Sequence, residues 1–507
     1  MPSPSPAVSV ERRAVALAWL ALVAAVVSAA GLSLLGRAVD HVVPPIIVAV
    51  VGPVALVGVA IAAGALRAVA ARLPADLDGW ARRRRIAAAL WLVLAVLGVG
   101  NLARVGVFIS DPTATWASFF PPEPGLTRHE CLAAYVRAGE LAAGGQANLW
   151  RPADYHAFDD QPPPATRIRG LADRLDDPYE YPPPLAAGFR AAVAVTDDYQ
   201  LVRAAWFGLN GLAFLIVALA LAAWVGGRAG GAALLLLPAL ALSFPLLANL
   251  QWGQAHMLVV AASVAAMLLF ARGRPVAGGV LLAGAVATKI FPGLLLVHLA
   301  VRRQWRALAA TAAAGAALVA IAVAILGPAT FASFVTDHLP AMASGDAFPN
   351  AQWNLDNASP YGLVFKLDRL GVAGMDQAMA SRVAWIYGLA AVGLVALAAR
   401  HRRDRAGEAI LWLGVLAVAT LRSPFAPTYS AITALWLLTL WIGDVPRRAW
   451  RTAAVVVAWI CLQGPPDYFG EIGNVIASLV PQAAAIAIAV TAVLRRPGPA
   501  GTRPRPA

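Results

Sequence analysis

The sequence predicts an all-α polytopic membrane protein, and three observations predict it. Hydrophobic residues fill 60% of the 507 positions and charged ones only 13%, with a mean hydropathy of +0.69; soluble domains carry roughly a quarter charged residues. Apolar runs long enough for a ~30 Å hydrocarbon core recur along the chain. Lys and Arg gather in short blocks between those runs, as cytoplasmic connectors do. Backbone groups in lipid must be satisfied internally, so runs rich in Ala, Leu and Val are helices. The alternation of barrel strands, about ten residues long, is not seen.

The formal charge of +13 would suggest nucleic acid in a soluble chain. Here the arginines sit at span ends, and no basic, aromatic-interleaved domain exists to hold a strand. Nucleic acid is therefore not an expected partner. Cys131 and Cys461 are too few for a disulfide framework and read as small hydrophobes, with a single bond left open. Glu11-Arg12-Arg13 precedes an apolar run with no small-residue cleavage site at a suitable distance, so the first span is expected to be retained.

In chain order, the spans expected first are 14–35 and 42–69, joined by a connector with Asp40 and His41. The block Arg82-Arg83-Arg84-Arg85 is the strongest cytoplasmic marker and places the N-terminus inside. The span at 86–109 then leads out into the first polar outer loop, about 110–200. Spans at 201–225, 232–250 and 257–270 follow, with a polar corner from Asn249 to His256. Two short apolar segments, 276–287 and 290–300, flank Thr288-Lys289 and have basic outer ends, so they read as a hairpin. The span 307–326 leads to a second outer loop, about 327–382, and 383–399 returns to Arg400-His401-Arg402-Arg403. Segments at 410–421, 429–442, 453–462 and 475–493 complete the set, with Arg447-Arg448 in a connector. The expected bundle has roughly twelve to fourteen membrane segments, with short interfacial helices in its two outer loops. Both termini are cytoplasmic on this reading. Its parts are 1–85 (two helices and the basic connector), a core 86–442, C-terminal helices 443–494 and a disordered basic, Pro-rich tail 495–507.

Chemistry is expected in the polar stretches. Asp111 stands where a span leaves the bilayer. Glu130 opens an amphipathic pattern with Leu132, Tyr135, Val136 and Leu141 at helical spacing, a helix expected to lie on the interface with Glu130 on its rim. Either carboxylate suits a general base for a hydroxyl, and either is equally read as a cap or surface charge. Tyr181-Pro182-Pro183-Pro184 is a stiff lead-in to the next helix. Gln251, Gln254 and His256 put three hydrogen-bonding groups at the ends of neighbouring spans, costly unless they face a cavity or one another. Lys289, a cation inside an apolar band, calls for a partner such as a lipid phosphate, or snorkels. The chain has no GxxxxGK[ST] loop, HExxH or Cys/His zinc spacing, and few acidic residues within its spans. That excludes a P-loop ATPase and weakens an ion-coupled transporter.

With these residues in place, the chain resembles the GT-C type glycosyltransferases, specifically glycosyltransferase family 87, the polyprenyl-phosphate-mannose-dependent α-mannosyltransferase-like group. The resemblance is carried by Ala134-Tyr135-Val136-Arg137-Ala138-Gly139 with Asn148-Leu149-Trp150, and by Tyr181-Pro182-Pro183. Gly253-Gln254, Lys289-Ile290-Phe291-Pro292 with Arg302-Arg303-Gln304-Trp305-Arg306, and Asn357-Ala358-Ser359-Pro360-Tyr361-Gly362 extend it. It spans roughly 86–442. Two positions depart from the family pattern: Cys131, beside Glu130, stands where an Asp is usual, and Ser423-Pro424-Phe425-Ala426-Pro427 lacks the histidines that often follow.

The resemblance implies a multi-pass enzyme of the inner (plasma) membrane working on the extracytoplasmic face. It would move a hexose, mannose by family, from a polyprenyl-phosphate carrier to a lipid or glycan hydroxyl, with inversion. Glu130 or Asp111 would be the base. Lys289, Gln254 and His256 would neighbour the carrier phosphate, and Tyr135, Tyr181, Gln251 and Asn357 would complete the binding residues. No metal or cofactor is implied beyond the lipid-linked donor, and membrane lipids, donor and acceptor are the expected partners. The competing expectations are a flippase or transporter of a lipid-linked saccharide, and a non-catalytic protein of the same fold.

Overall fold

A computed structural model of the chain describes residues 8–38, 47–158, 160–401, 403–444, 449–464 and 469–495. Asp40, His41, Asp159, Arg402, Arg447, Arg448 and the basic tail from 496 lie outside the described residues. Among the described residues helix is the regular element, joined only by two isolated bridges, His129 with Leu175 and Arg169 with Asp198. Among the described residues, six helices are long and apolar enough to cross a membrane singly, and two bent pairs are so when each is taken as one span. Shorter apolar helices are Pro183–Val195, His256–Ala271, Pro275–Thr288, Phe291–Val301 and Thr452–Cys461. The protein is an all-α, multi-pass membrane protein. Its chain forms two compact units, Met1–Ala261 with Ala322–Phe331, and Ala262–Ile321 with Ala332–Ala507.

The first unit is built on α1 (Val10–Ala38), α2 (Gly52–Ala62), α3 (Ala65–Arg72) and α4 (Arg85–Ser110). Two outer-loop helices follow, α5 (Cys131–Ala143) and α6 (Pro183–Val195), and then α7 (Tyr199–Val225), α8 (Gly227–Leu240) and α9 (Phe244–Gln251). The helices α2 and α3 are bent by 79° at their junction, and α8 and α9 by 61°. Helix α1 packs on α4 and α7 through small residues. A Cβ on Gly106 would lie 2.5 Å from Ala29, and one on Gly208 2.7 Å from Ala30. Where lipid tails are as apolar as side chains, such close approach supplies the van der Waals attraction between helices. On α4 the large residues Leu92, Val93, Val96 and Leu97 face outward, while Ala95 and Gly98 are buried.

Helix α5 begins where the amphipathic pattern does, with Glu130 as its N-cap residue. It does not lie free on an interface. Most of its residues are buried and it packs on α6, so closely that a Cβ on Gly139 would stand 2.6 Å from the Phe189 backbone. Pro183 and Pro184 open α6, where a missing N–H costs nothing.

Helix α10 (His256–Ala271), which begins in the first unit, runs into the second and leads to α11 (Pro275–Thr288), a 3₁₀ turn at Phe291–Gly293, α12 (Leu294–Val301) and α13 (Trp305–Leu326), whose last turn returns to the first unit. The hairpin expected around Lys289 is therefore present as α11 and α12, with Lys289 capping the first. Then come α14 (Pro360–Arg369), α15 (Gln377–Ala399), α16 (Arg405–Leu421), α17 (Ile432–Asp444), α18 (Ala449–Cys461) and α19 (Gly470–Leu494). Ser359 caps α14 by accepting from Gly362 N–H at 3.0 Å, and α14 packs on α15 and α19.

Candidate functional site

In the first unit the polar outer loop is gathered against the corner between α9 and α10. Gln254 Oε1 stands 2.8 Å from the Tyr135 hydroxyl and 3.0 Å from that of Tyr181, accepting from both. The two rings meet edge to face at 4.8 Å. Gln254 Nε2 donates to Cys131 Sγ at 3.3 Å, and Ala255 N–H donates to Tyr135 Oη at 3.2 Å. Burial pushes both phenols well above the usual tyrosine value, so they remain protonated donors. Tyr135, Tyr181 and Gln254, singled out from the sequence, are thus one cluster. The backbone turn beside it needs glycine: Gly253 has φ 63°, and a Cβ there would sit 2.6 Å from Leu132. Its carbonyl accepts from Trp206 Nε1 at 2.7 Å.

Gln251 acts differently from its expected ligand-lining role. Its Oε1 accepts from Phe119 N–H at 2.6 Å and its Nε2 donates to Ser118 Oγ at 2.8 Å, so its amide clasps the start of the outer loop. Trp252 stacks on Phe120 with centroids 4.4 Å apart, closing the same clasp. His256 is buried at the start of α10.

Glu130 is not on a rim. It is 1% exposed, and its Oε1 lies 2.9 Å from Arg203 Nη2 and 3.4 Å from Arg174 Nη1. The Tyr199 hydroxyl donates to its Oε2. Arg203 Nη1 also donates to the carbonyls of Phe108 and Ile109, at 2.8 and 3.1 Å, where the last turns of α4 present carbonyls without helical partners. This knot ties α4, α5 and α7 together. The carboxylate is thus buried and engaged on both oxygens. Arg203 was not anticipated, although an arginine five residues into a span is the kind of intramembrane charge that demands a partner.

Asp111 follows α4 immediately and is half-buried. Its Oδ1 accepts from Thr113 N–H at 2.9 Å and from Thr113 Oγ1 at 2.6 Å. That local turn fixes one oxygen and leaves Oδ2 as the one to present. Elsewhere in the loop, burial pushes the Asp176 carboxyl up to about 6, against the hydrogen bond it accepts from His156 N–H at 2.8 Å.

In the second unit Lys289 is half-buried, with Nζ 5.6 Å from the centre of the Tyr429 ring, a cation–π distance. Asn357 is wholly internal. Its Nδ2 donates to the carbonyls of Ala351 and Pro424, and its Oδ1 accepts from the N–H groups of Ser359 and Ala426. That uses the amide's hydrogen-bonding capacity. It pins the Ser423–Pro427 turn to the outer loop, and Ser359 Oγ reinforces this by donating to Pro424 O at 2.8 Å. Cys131 and Cys461 are thiols and not a disulfide.

Long apolar helices with polar groups gathered in their connecting segments define a multi-pass membrane protein. Its chemistry is glycosyl transfer: the family model for glycosyltransferase family 87 matches residues 179–427, and the chain is a family 87-like glycosyltransferase. The match takes in Tyr181, Gln254, Lys289 and Asn357, and begins after Asp111, Glu130 and Tyr135. No curated protein and no solved structure matches the chain.

Proposed function

We propose that the protein transfers a hexose, mannose first among them, from a polyprenyl-phosphate carrier to a lipid or glycan hydroxyl on the extracytoplasmic side of the membrane. The acceptor oxygen attacks the anomeric carbon as the bond from that carbon to the phosphate oxygen breaks. The hydroxyl proton passes to a carboxylate and polyprenyl phosphate departs, with inversion at the sugar. Asp111 is the base on this reading, because Glu130 is already engaged by two guanidinium groups and a phenol. The observation that carries the donor assignment is Lys289, an ammonium at the break of an apolar hairpin and over an aromatic ring. A cation held there favours the phosphate of a membrane-borne carrier.

Protein in nanodiscs, supplied with labelled polyprenyl-phosphate-mannose and a membrane lipid extract, is expected to yield labelled glycolipid. Asp111→Asn should lower turnover by about a hundredfold or more, the usual scale of a general base. Lys289→Met should raise the donor KM. Labelled product from a sugar nucleotide but none from the lipid-linked donor would overturn the donor assignment. Full activity in Asp111→Asn would overturn the base.

A further inference from the structure

Helix α4 carries a polar feature that the proposed reaction does not use. Leu90, Val93, Leu97, Asn101 and Arg104 succeed one another three or four residues apart and so share one face. The three apolar residues are each more than half exposed, the state of a face turned to lipid. Asn101 and Arg104, both half-buried, end that face. Beyond them Val105, Gly106, Val107, Phe108 and Ile109 are all buried, and the Arg203 guanidinium lies 4.9 Å from the centre of the Phe108 ring. The open face is therefore roofed just past Arg104. From Arg85 to Arg104 the helix rises about 28 Å, close to the ~30 Å of a hydrocarbon core. An arginine thus marks each edge of that core.

Among the described residues neither the Arg104 guanidinium nor the Asn101 amide makes a side-chain hydrogen bond or ion pair, and Arg104 Nε is buried without a partner. Helix α4 contains no acidic residue. A cation and an amide left idle at the edge of a bilayer are costly. The roof at Phe108 and the lean of helical side chains toward the N-terminus both turn Arg104 away from water. The partner that a bilayer supplies at that height is a lipid phosphate. Guanidinium N–H groups match phosphate oxygens in pairs, Asn101 Nδ2 can donate to an ester oxygen, and the face down to Leu90 offers a lane of about 21 Å for an acyl chain. With no carboxylate on that face to receive an ammonium, charge favours an anionic head over a zwitterionic one. We propose that Arg104 and Asn101 form a binding site for one anionic phospholipid, in the leaflet at that end of α4. The inference stands apart from the glycosyl-transfer reading, and its test needs no turnover.

Native mass spectrometry of the full chain in detergent, titrated with phosphatidylglycerol or with phosphatidylcholine of the same acyl chains, reads the site directly. A single phosphatidylglycerol is expected to bind about tenfold more tightly than phosphatidylcholine, the scale of one charge-assisted hydrogen bond. Arg104→Leu should remove that preference. Arg104→Lys, a point charge without the paired donors, should keep part of it. Arg72→Leu, which removes the exposed arginine at the end of α3, should leave it whole. Equal binding of the two phospholipids by the wild type overturns the site, as does a preference that survives Arg104→Leu or is lost equally in Arg72→Leu. Polyprenyl phosphate is the other source of a lipid phosphate. It should not displace phosphatidylglycerol at equal concentration; displacement that Arg104→Leu abolishes would give Arg104 to the carrier and overturn the phospholipid assignment. In a second arm, phosphatidylglycerol with a diazirine midway along one acyl chain is expected to label residues 90–101, several-fold less in Arg104→Leu. Labelling equal in the two proteins overturns the lane.

Discussion

Replacing Glu130 with Gln separates a structural ion from a catalytic one. The substitution keeps the shape of the side chain and an oxygen for the Tyr199 hydroxyl, but removes the anion between Arg203 and Arg174. Those residues are 2% and 8% exposed, so both guanidinium groups would remain buried with their nearest counter-charge gone. Removing one member of a buried pair costs about 3–5 kcal/mol. Arg203 keeps its bonds to the carbonyls of Phe108 and Ile109, which places the loss near about 3 kcal/mol. Denaturant titration in mixed micelles, followed by tryptophan fluorescence, reads that loss as an earlier unfolding transition. Adding Arg203→Met should give a double variant whose loss falls short of the sum of the singles, since the two residues share one interaction. Turnover per folded molecule, measured well below the transition, should stay within a few-fold of the wild type. An Glu130→Gln protein with wild-type unfolding and turnover lower by about a hundredfold would refute the argument and return the base role to Glu130.

Three further outcomes are expected. Gly253→Ala forces a Cβ into a residue at φ 63° and 2.6 Å from Leu132, a loss of about 2–4 kcal/mol from backbone strain and overpacking, seen as a lower unfolding midpoint with weakened activity. Asn357→Ala leaves the buried carbonyls of Ala351 and Pro424 and the N–H groups of Ser359 and Ala426 without their partner; it should cost at least about 1–3 kcal/mol, and susceptibility of the outer loop to limited proteolysis should rise before any substrate KM changes. Asp176 titrates near 6 when folded and near its ordinary value when unfolded, so its contribution is fully present below the unfolded value and is lost as pH rises through about 6. The buried anion then costs about 3 kcal/mol at neutral pH, and Asp176→Asn should flatten the fall in unfolding midpoint between about pH 4 and 6.

The helical class, the span at α4, the start of α5 after Glu130 and the hairpin broken at Lys289 were all legible in the sequence, because each depends on local pattern: a long apolar run, a capping position, a basic block. Which carboxylate is available was not legible. The partner of Glu130 at Arg203 is 73 positions away along the chain, and an amide that clasps a loop, as Gln251 does, looks in one sequence like an amide that binds a ligand. Facing was hidden as well, since α4 exposes Leu92, Val93, Val96 and Leu97 and buries Ala95, Gly98 and Leu102, apolar residues on both faces, so hydrophobic periodicity carries little contrast.

The bonds from Arg203 and Gln200 to the last carbonyls of α4 have a consequence for how the proposed base is placed. Asp111 is two residues beyond Ile109, so its height is set by the register of α7, while within the long loop that separates the two helices only the adjoining turn at Thr113 orients its carboxylate. The loop can lengthen, shorten or change its sequence without carrying Asp111 along with it. A one-turn shift of α7, by contrast, would move the carboxylate by about 5 Å while leaving every residue of the loop unchanged. The precision of that end of the reaction is held by a membrane helix, and variation in the loop is free to follow the substrate.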